Sequence, residues 1–279
     1  MILIADSGAT KTHWVLLDGD KILREIYTPG FNPYYYPTKE FEESLKIKLA
    51  AEVPEKEISH VYFYGSGISS EINRKIVRKA IHAVFPEVIV ETYHDLHGAA
   101  VALFSDKKGI ACILGTGSNS CLWDGKGVVQ NVPSLGYFLG DEGSGTYIGK
   151  MFVRDVLIGD ADKEITKIFY ERNNLSFSKT LDKVYKEPNP NLFFAVQTRL
   201  LREMNHIPYC NQIVAQAFED YVKMQLSRYP GYDVLPVSFV GSIAANFSNI
   251  LEEVLSKHNI RLGKIMKEPM TGMIEHHLR

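Results

Sequence analysis

Apolar residues fall in short blocks along this chain, and their spacing predicts what each block becomes. Ile2–Ala5, His13–Leu17 and Ile22–Tyr27 read as three strands, with Asp18-Gly19-Asp20 as a hairpin signal between the last two. After the Pro- and Tyr-rich stretch "TPGFNPYYYPT", Phe41, Leu45 and Leu49 recur every four residues, which predicts a helix with one buried face. "HVYFYG" reads as a strand. Ile72, Ile76, Ala80 and Val84 mark a second amphipathic helix, and "VIVETY" is a strand that stops just before Asp95. A short helix, Leu96–Phe104, follows. Three strands, then helix and strand in alternation, imply an α/β fold with a mixed sheet under helices.

The pattern then starts again. The apolar run Ile110–Leu114 enters Gly115-Thr116-Gly117-Ser118-Asn119 and returns through Leu122-Trp123 to a second hairpin signal, "DGKG". With Gly8 set on Gly117, Trp14 falls on Trp123, so a strand–turn–strand unit is duplicated and two lobes are expected. The boundary falls near Ser105–Lys108, giving lobes 1–107 and 108–279. The second lobe is expected to be helix-rich from about Gly143 to Gly159 and across Leu192–Tyr229. A last strand, "PVSFVG", and a helix over Ala244–Lys257 follow. "MTGMIEHHL" is the candidate helix returning to the first lobe.

Composition narrows the function classes. The 279 residues are 45% hydrophobic and 23% charged, as in a globular protein with a sizeable core. A net charge of −2 gives no general attraction to nucleic acid or to an anionic membrane. No apolar run is long enough to span a bilayer, and "MILIADSGA" lacks the basic and apolar regions of a signal peptide, so a cytoplasmic location is expected. Cys112, Cys121 and Cys210 are odd in number and widely spaced, and are expected to be small core residues. His94, His97, His276 and His277 offer no evident ligand set on rigid elements, so no structural metal is expected.

The candidate chemistry lies where strands end. Small residues let backbone N–H groups approach an anion, and hydroxyls add donors. Ser7-Gly8-Ala9-Thr10-Lys11-Thr12 and Thr116-Gly117-Ser118-Asn119 supply both, and Gly241-Ser242 sits at a strand-to-helix junction. No Walker loop is present. Phosphoryl transfer needs one carboxylate to take the proton of the attacking hydroxyl and another to hold Mg²⁺ near the phosphates. Asp95 suits the first task and Asp6, beside a phosphate loop, the second. Asp95 can equally cap the helix that follows it, and Asp141 can cap a turn.

"DSGATKT", "GTGSN", "GDEGSG" and "VGS", in this order, resemble the BadF/BadG/BcrA/BcrD-type ATPase family, which includes the N-acetylglucosamine kinases of the sugar kinase/heat-shock-protein/actin superfamily. The resemblance covers nearly the whole chain and is weakest over residues 160–230. It implies two ribonuclease-H-like lobes with ATP and substrate in the cleft between them, Mg²⁺ as cofactor, and an amino sugar as acceptor, phosphorylated on its 6-hydroxyl. A homodimer is compatible with it. It further implies that Asp6, Gly8, Thr10, Lys11, Thr116, Gly117 and Ser118 serve the phosphates and metal, with Gly241 and Ser242 nearer the adenosine. Asp95 matches the base, and Asn32 and Asp141 match sugar contacts. Where animal relatives carry Gly-Trp-Gly in the sugar pocket this chain has Ser134-Leu135-Gly136, and a Cys before it becomes Val132. Leu135 cannot stack on a sugar as Trp does, which leaves N-acetylmuramic acid or its anhydro form as alternatives to N-acetylglucosamine.

Two other functions fit the same resemblance. Some members are iron–sulfur ATPases that activate 2-hydroxyacyl-CoA dehydratases, but neither Cys112 nor Cys121 sits in a Gly-rich cluster-binding turn. A non-catalytic sugar sensor of the repressor kind would carry a DNA-binding segment, and no basic helix-turn-helix pattern is present.

Overall fold

A computed structural model describes residues 1–8, 11–33, 38–53 and 57–279. They divide into two compact units, Met1–Asp106 together with Pro269–Arg279, and Lys107–Glu268.

The first unit is built on a five-stranded sheet of β1 (Ile2–Ser7), β2 (Lys11–Asp18), β3 (Lys21–Pro29), β4 (His60–Gly65) and β5 (Ile89–His94), in the order β3-β2-β1-β4-β5. β1 runs antiparallel to β2 and parallel to β4, which is parallel to β5. Alternate side chains feed two cores. Leu3, Ala5, Trp14, Leu16 and Phe63 pack on one face, and Ile4, Val15, Leu17 and Tyr64 on the other.

Helices α1 (Thr38–Ser44), extended by a π-helical turn over Leu45–Leu49, and α2 (Glu71–His82) belong to the first core. Phe41, Leu45 and Leu49 are all buried, as their spacing predicts. The α2 pattern needs correction. Ile72 is 73% exposed and Val84 lies beyond the helix, while Asn73, Val77, Ala80 and Ile81 form the buried stripe. Ser70 caps this helix by accepting from the Asn73 N–H, so the first turn points Ile72 outward.

On the other face lie α3 (Asp95–Phe104) and the C-terminal helix, numbered α12 below (Met270–His277). They pack together closely because both are small at the crossing. A Cβ on Gly272 would fall against the Ala102 carbonyl, and one on Gly98 against the Met273 side chain.

The second unit repeats the sheet. β6 (Gly109–Leu114), β7 (Ser118–Trp123), β8 (Val128–Val132), β9 (Val237–Val240) and β10 (Leu262–Met266) lie in the order β10-β9-β6-β7-β8. "PVSFVG", expected as the last strand, is therefore followed by one more, an edge strand that sequence reading missed because none of its residues is fully buried. β6 is antiparallel to β7 and parallel to β9, as β1 is to β2 and β4. Trp14 and Trp123, matched by the duplication, are both buried.

Between β8 and β9 stand α4 (Gly136–Leu139), α5 (Gly145–Ile158), α6 (Lys163–Asn173), α7 (Phe177–Tyr185), α8 (Pro190–Glu203) and α9 (Pro208–Met224). The helix expected over Ala244–Lys257 is divided at Phe247 into α10 (Ser242–Asn246) and α11 (Ser248–Lys257). α6 and α7 escape sequence reading because they bury little: Ile165 and Phe169 from one, Thr180 from the other.

Candidate active-site residues

In the second unit the turn between β6 and β7 is closed by Gly115 N–H donating to the Gly117 carbonyl at 3.0 Å. The first turn of α5 anchors it. Gly145 N–H donates to the Gly115 carbonyl at 2.8 Å, and Thr146 donates to the Thr116 carbonyl from both its N–H, 3.0 Å, and its hydroxyl, 2.7 Å. With its carbonyl fixed, Thr116 is left exposed.

Asp141 stands against this turn. Its carboxylate accepts from the Ser134 hydroxyl at 3.0 Å and from the Ser118 N–H at 3.5 Å. A Cβ on Gly117 would lie 3.1 Å from Asp141 Oδ2, so a side chain there would crowd the carboxylate. Asp141 is held in the left-handed region, φ 62°, a conformation L residues adopt at some cost. Burial raises its pKa, opposed by the hydrogen bonds from Ser134 and Ser118. Residues expected to hold sugar, Ser134 and Asp141, thus adjoin residues expected to hold phosphate, Gly117 and Ser118. Neighbouring Glu142 is 8% exposed, and its buried Oε2 has no hydrogen-bond partner among the described residues. Leu135 is exposed, and Gly136 opens the short exposed α4.

A pocket of about 360 Å³ brings the turn together with the junction after β9. Gly115, Thr116 and Gly145 line it beside Ser242, Ile243 and Asn246 of α10. Gly241 precedes Ser242 and donates its N–H to the Met266 carbonyl at 2.9 Å. The third wall is one face of α8, with Arg199 and Arg202, and Lys267 also reaches the pocket. Sequence reading missed all three cations. The i, i+3, i+4, i+7 recurrence of Leu192, Ala195, Val196 and Arg199 was the available signal, but such a stripe is usually core.

In the first unit the corresponding turn is closed by Gly8 N–H donating to the Lys11 carbonyl at 3.0 Å. Thr10, expected to contact phosphate, lies outside the described residues. Asp6 sits in β1 opposite His13, one residue before Ser7, whose hydroxyl is 2.8 Å from that of Thr12. Lys11 Nζ is turned onto the Tyr27 ring, 5.3 Å from its centroid.

Register aligns Ser7 with Gly65 and Gly65 with His94, so β1, β4 and β5 end level. The carboxyl ends of parallel strands are where α/β sheets place ligands. Asp6, the turn after β4 and Asp95 share that edge, with β1 and β5 about 10 Å apart at ~4.8 Å per strand. Asn32 also reaches the edge. Its amide occupies the space that a side chain on Gly67 would need. Asp95 is the first residue of α3, and the cap position belongs to His94, whose Nδ1 accepts from the Leu96 N–H at 3.2 Å.

The described residues hold no cluster of three or more metal-ligating side chains. Asp6, at the end of β1 beside the turn that Gly8 closes, still fits Mg²⁺, which commonly takes one or two carboxylates plus substrate phosphates. The three cysteines are buried, and burial pushes the Cys121 thiol up to about 12. Among the described residues no helix is long and apolar enough to cross a membrane.

No family model and no curated protein matches the chain. Among solved structures, a Porphyromonas gingivalis protein assigned as an N-acetylglucosamine kinase is 36% identical, with a TM-score of 0.95, over 100% of this chain and 99% of its own. A Chromobacterium violaceum protein with the same assignment is 18% identical, TM-score 0.75, over 100% and 98%. MreB5 of Spiroplasma citri bound to ADP, 10% identical with a TM-score of 0.58 over 99% and 94%, shares the fold.

Proposed function

This chain belongs to the N-acetylglucosamine kinase-like family of actin-like ATPases, and from that premise we propose that it phosphorylates the 6-hydroxyl of an N-acetylated amino sugar. It is an ATP-dependent carbohydrate kinase. The contact of Asp141, itself held by Ser134, with the Gly117–Ser118 turn supports the finer reading, because an acceptor hydroxyl must lie next to the terminal phosphate.

Each residue then has a task. Thr116 and the N–H groups of its turn hold phosphate oxygens, and Ser242 lies toward the nucleoside. Asp6 holds Mg²⁺, which neutralises phosphate charge when bound. Asn32 and Asp141 accept from sugar hydroxyls or the N-acetyl N–H and orient the acceptor. Asp95 takes the proton from the attacking hydroxyl. The iron–sulfur alternative is disfavoured by the cysteines, since a cluster ligand is a thiolate and burial holds these thiols protonated.

The test is a coupled ADP-release assay with N-acetylglucosamine, N-acetylmuramic acid, its anhydro form and glucose, followed by NMR of the product. A 6-phosphate on one of the acetylated sugars is the expected outcome. Turnover on glucose alone, or ATP hydrolysis that no sugar stimulates, would defeat the proposal.

A further inference from the structure

The pocket beside Thr116 contains three cations to which the proposed function assigns no task. Their position follows from helix geometry. The lining residues Leu192, Ala195, Val196, Arg199 and Arg202 form one stripe of α8. Ala195 marks the phosphate end, because its Cβ and the Gly115 carbonyl both lie within 3.4 Å of where a Gly145 Cβ would stand. At 1.5 Å per residue, Arg199 is about 6 Å further along the stripe and Arg202 about 10 Å. Arg202 meets Asn246 of α10 there, so the stripe runs along the helix whose Ser242 the proposed function assigns to the nucleoside.

The three cations are not equivalent. Arg202 donates to Asn246 Oδ1 at 2.8 Å, so its guanidinium is already engaged. Lys267 carries a point charge without a plane. Arg199 has the plane and makes no hydrogen bond or ion pair to any described residue. It follows Leu192 and Val196 on the stripe, so apolar surface and a free guanidinium occupy the same wall. None of the described lining residues is acidic. A flat aromatic ring satisfies both features, since it lies on apolar side chains and its π-face attracts a guanidinium.

Resting on the kinase reading, we propose that Arg199 binds the nucleobase of the phosphoryl donor by laying its guanidinium on the ring. The contact adds affinity for the nucleoside half and nothing for the sugar.

Binding of ADP, and of adenosine in competition with it, is measured on the full chain for the wild type, Arg199→Ala and Arg199→Lys. Arg199→Ala is expected to bind both ligands about twofold to thirtyfold more weakly, the range of a cation–π contact from exposed to desolvated, and Arg199→Lys, which keeps the charge without the plane, to recover part of that loss for both. Melting temperature without ligand and N-acetylglucosamine affinity stay at wild-type values. A loss confined to ADP, with adenosine bound as by the wild type, would identify a phosphate contact and overturn the nucleobase assignment. Unchanged affinity in Arg199→Ala would make Arg199 a solvated surface residue. A wild-type chain that bound no ADP would sink the kinase reading itself.

Discussion

Asp95 Oδ1 lies 2.8 Å from Nδ1 of the residue before it, His94. The same nitrogen accepts from the Leu96 N–H at 3.2 Å, so it caps α3 when unprotonated and faces the carboxylate when protonated. Burial works against the charge on His94, yet Asp95 outweighs it and raises the pKa. The pair therefore contributes stability that is fully present below about pH 6.5 and lost as pH rises through the raised value. Asp95→Asn is expected to lower the His94 pKa, read by NMR titration. It should also lower kcat by about 10²–10⁴ while moving the sugar KM a few-fold. Near-wild-type turnover would leave Asp95 a structural partner of His94 and no base.

Two other histidines, His97 and His277, have the opposite sign. Burial, with His276 nearby, depresses His277 to about 4, and burial, His276 and Arg74 do the same to His97. Tyr62 and Tyr64 face His277, with the Tyr64 hydroxyl 2.9 Å from its Nε2, and Tyr93 stacks on His97. Unfolded histidine binds protons at about 6.5, so this stability is present above that pH and lost as pH falls toward 4. Melting temperature should drop over that window. His277→Phe is expected to cost about 1–3 kcal/mol at pH 7, because it strands the Tyr64 hydroxyl, and to flatten the acid slope. An unchanged slope would place the acid sensitivity elsewhere.

Thr116→Ala removes an exposed hydroxyl from a turn whose backbone is fixed by α5. A hydrogen bond to a charged group is worth about 1.5–3 kcal/mol, so the KM for ATP should rise by about tenfold to a hundredfold. Sugar binding without nucleotide, followed by calorimetry, should not change. Equal loss for both ligands would mean that this turn serves the wrong ligand in the proposed scheme.

Asp141→Asn keeps the shape of the carboxylate and its approach to Ser134. It is expected to raise the sugar KM more than it lowers kcat, in contrast to Asp95→Asn. Steady-state kinetics on both variants separates the roles. Abolished turnover in Asp141→Asn with turnover kept in Asp95→Asn would exchange the two carboxylates.

The sequence by itself marked the duplicated strand–turn–strand units. Trp14 and Trp123, the two Gly-rich turns and the apolar strands beside them are local patterns, whereas β10 and the strand order of each sheet came only with the tertiary structure. The sequence also marked Asp6, Asp95 and Thr116, because polar residues that interrupt apolar strands at their ends are visible without a partner. Tertiary structure decided what depends on contacts distant along the chain. Asp141 meets a turn 23 residues before it, and Arg199 lines a pocket with Thr116 and Ser242. The outward turn of Ile72 and the shallow helices α6 and α7 likewise follow from capping and packing. A side chain's chemistry is local, but the groups that face it are fixed only when the chain has closed.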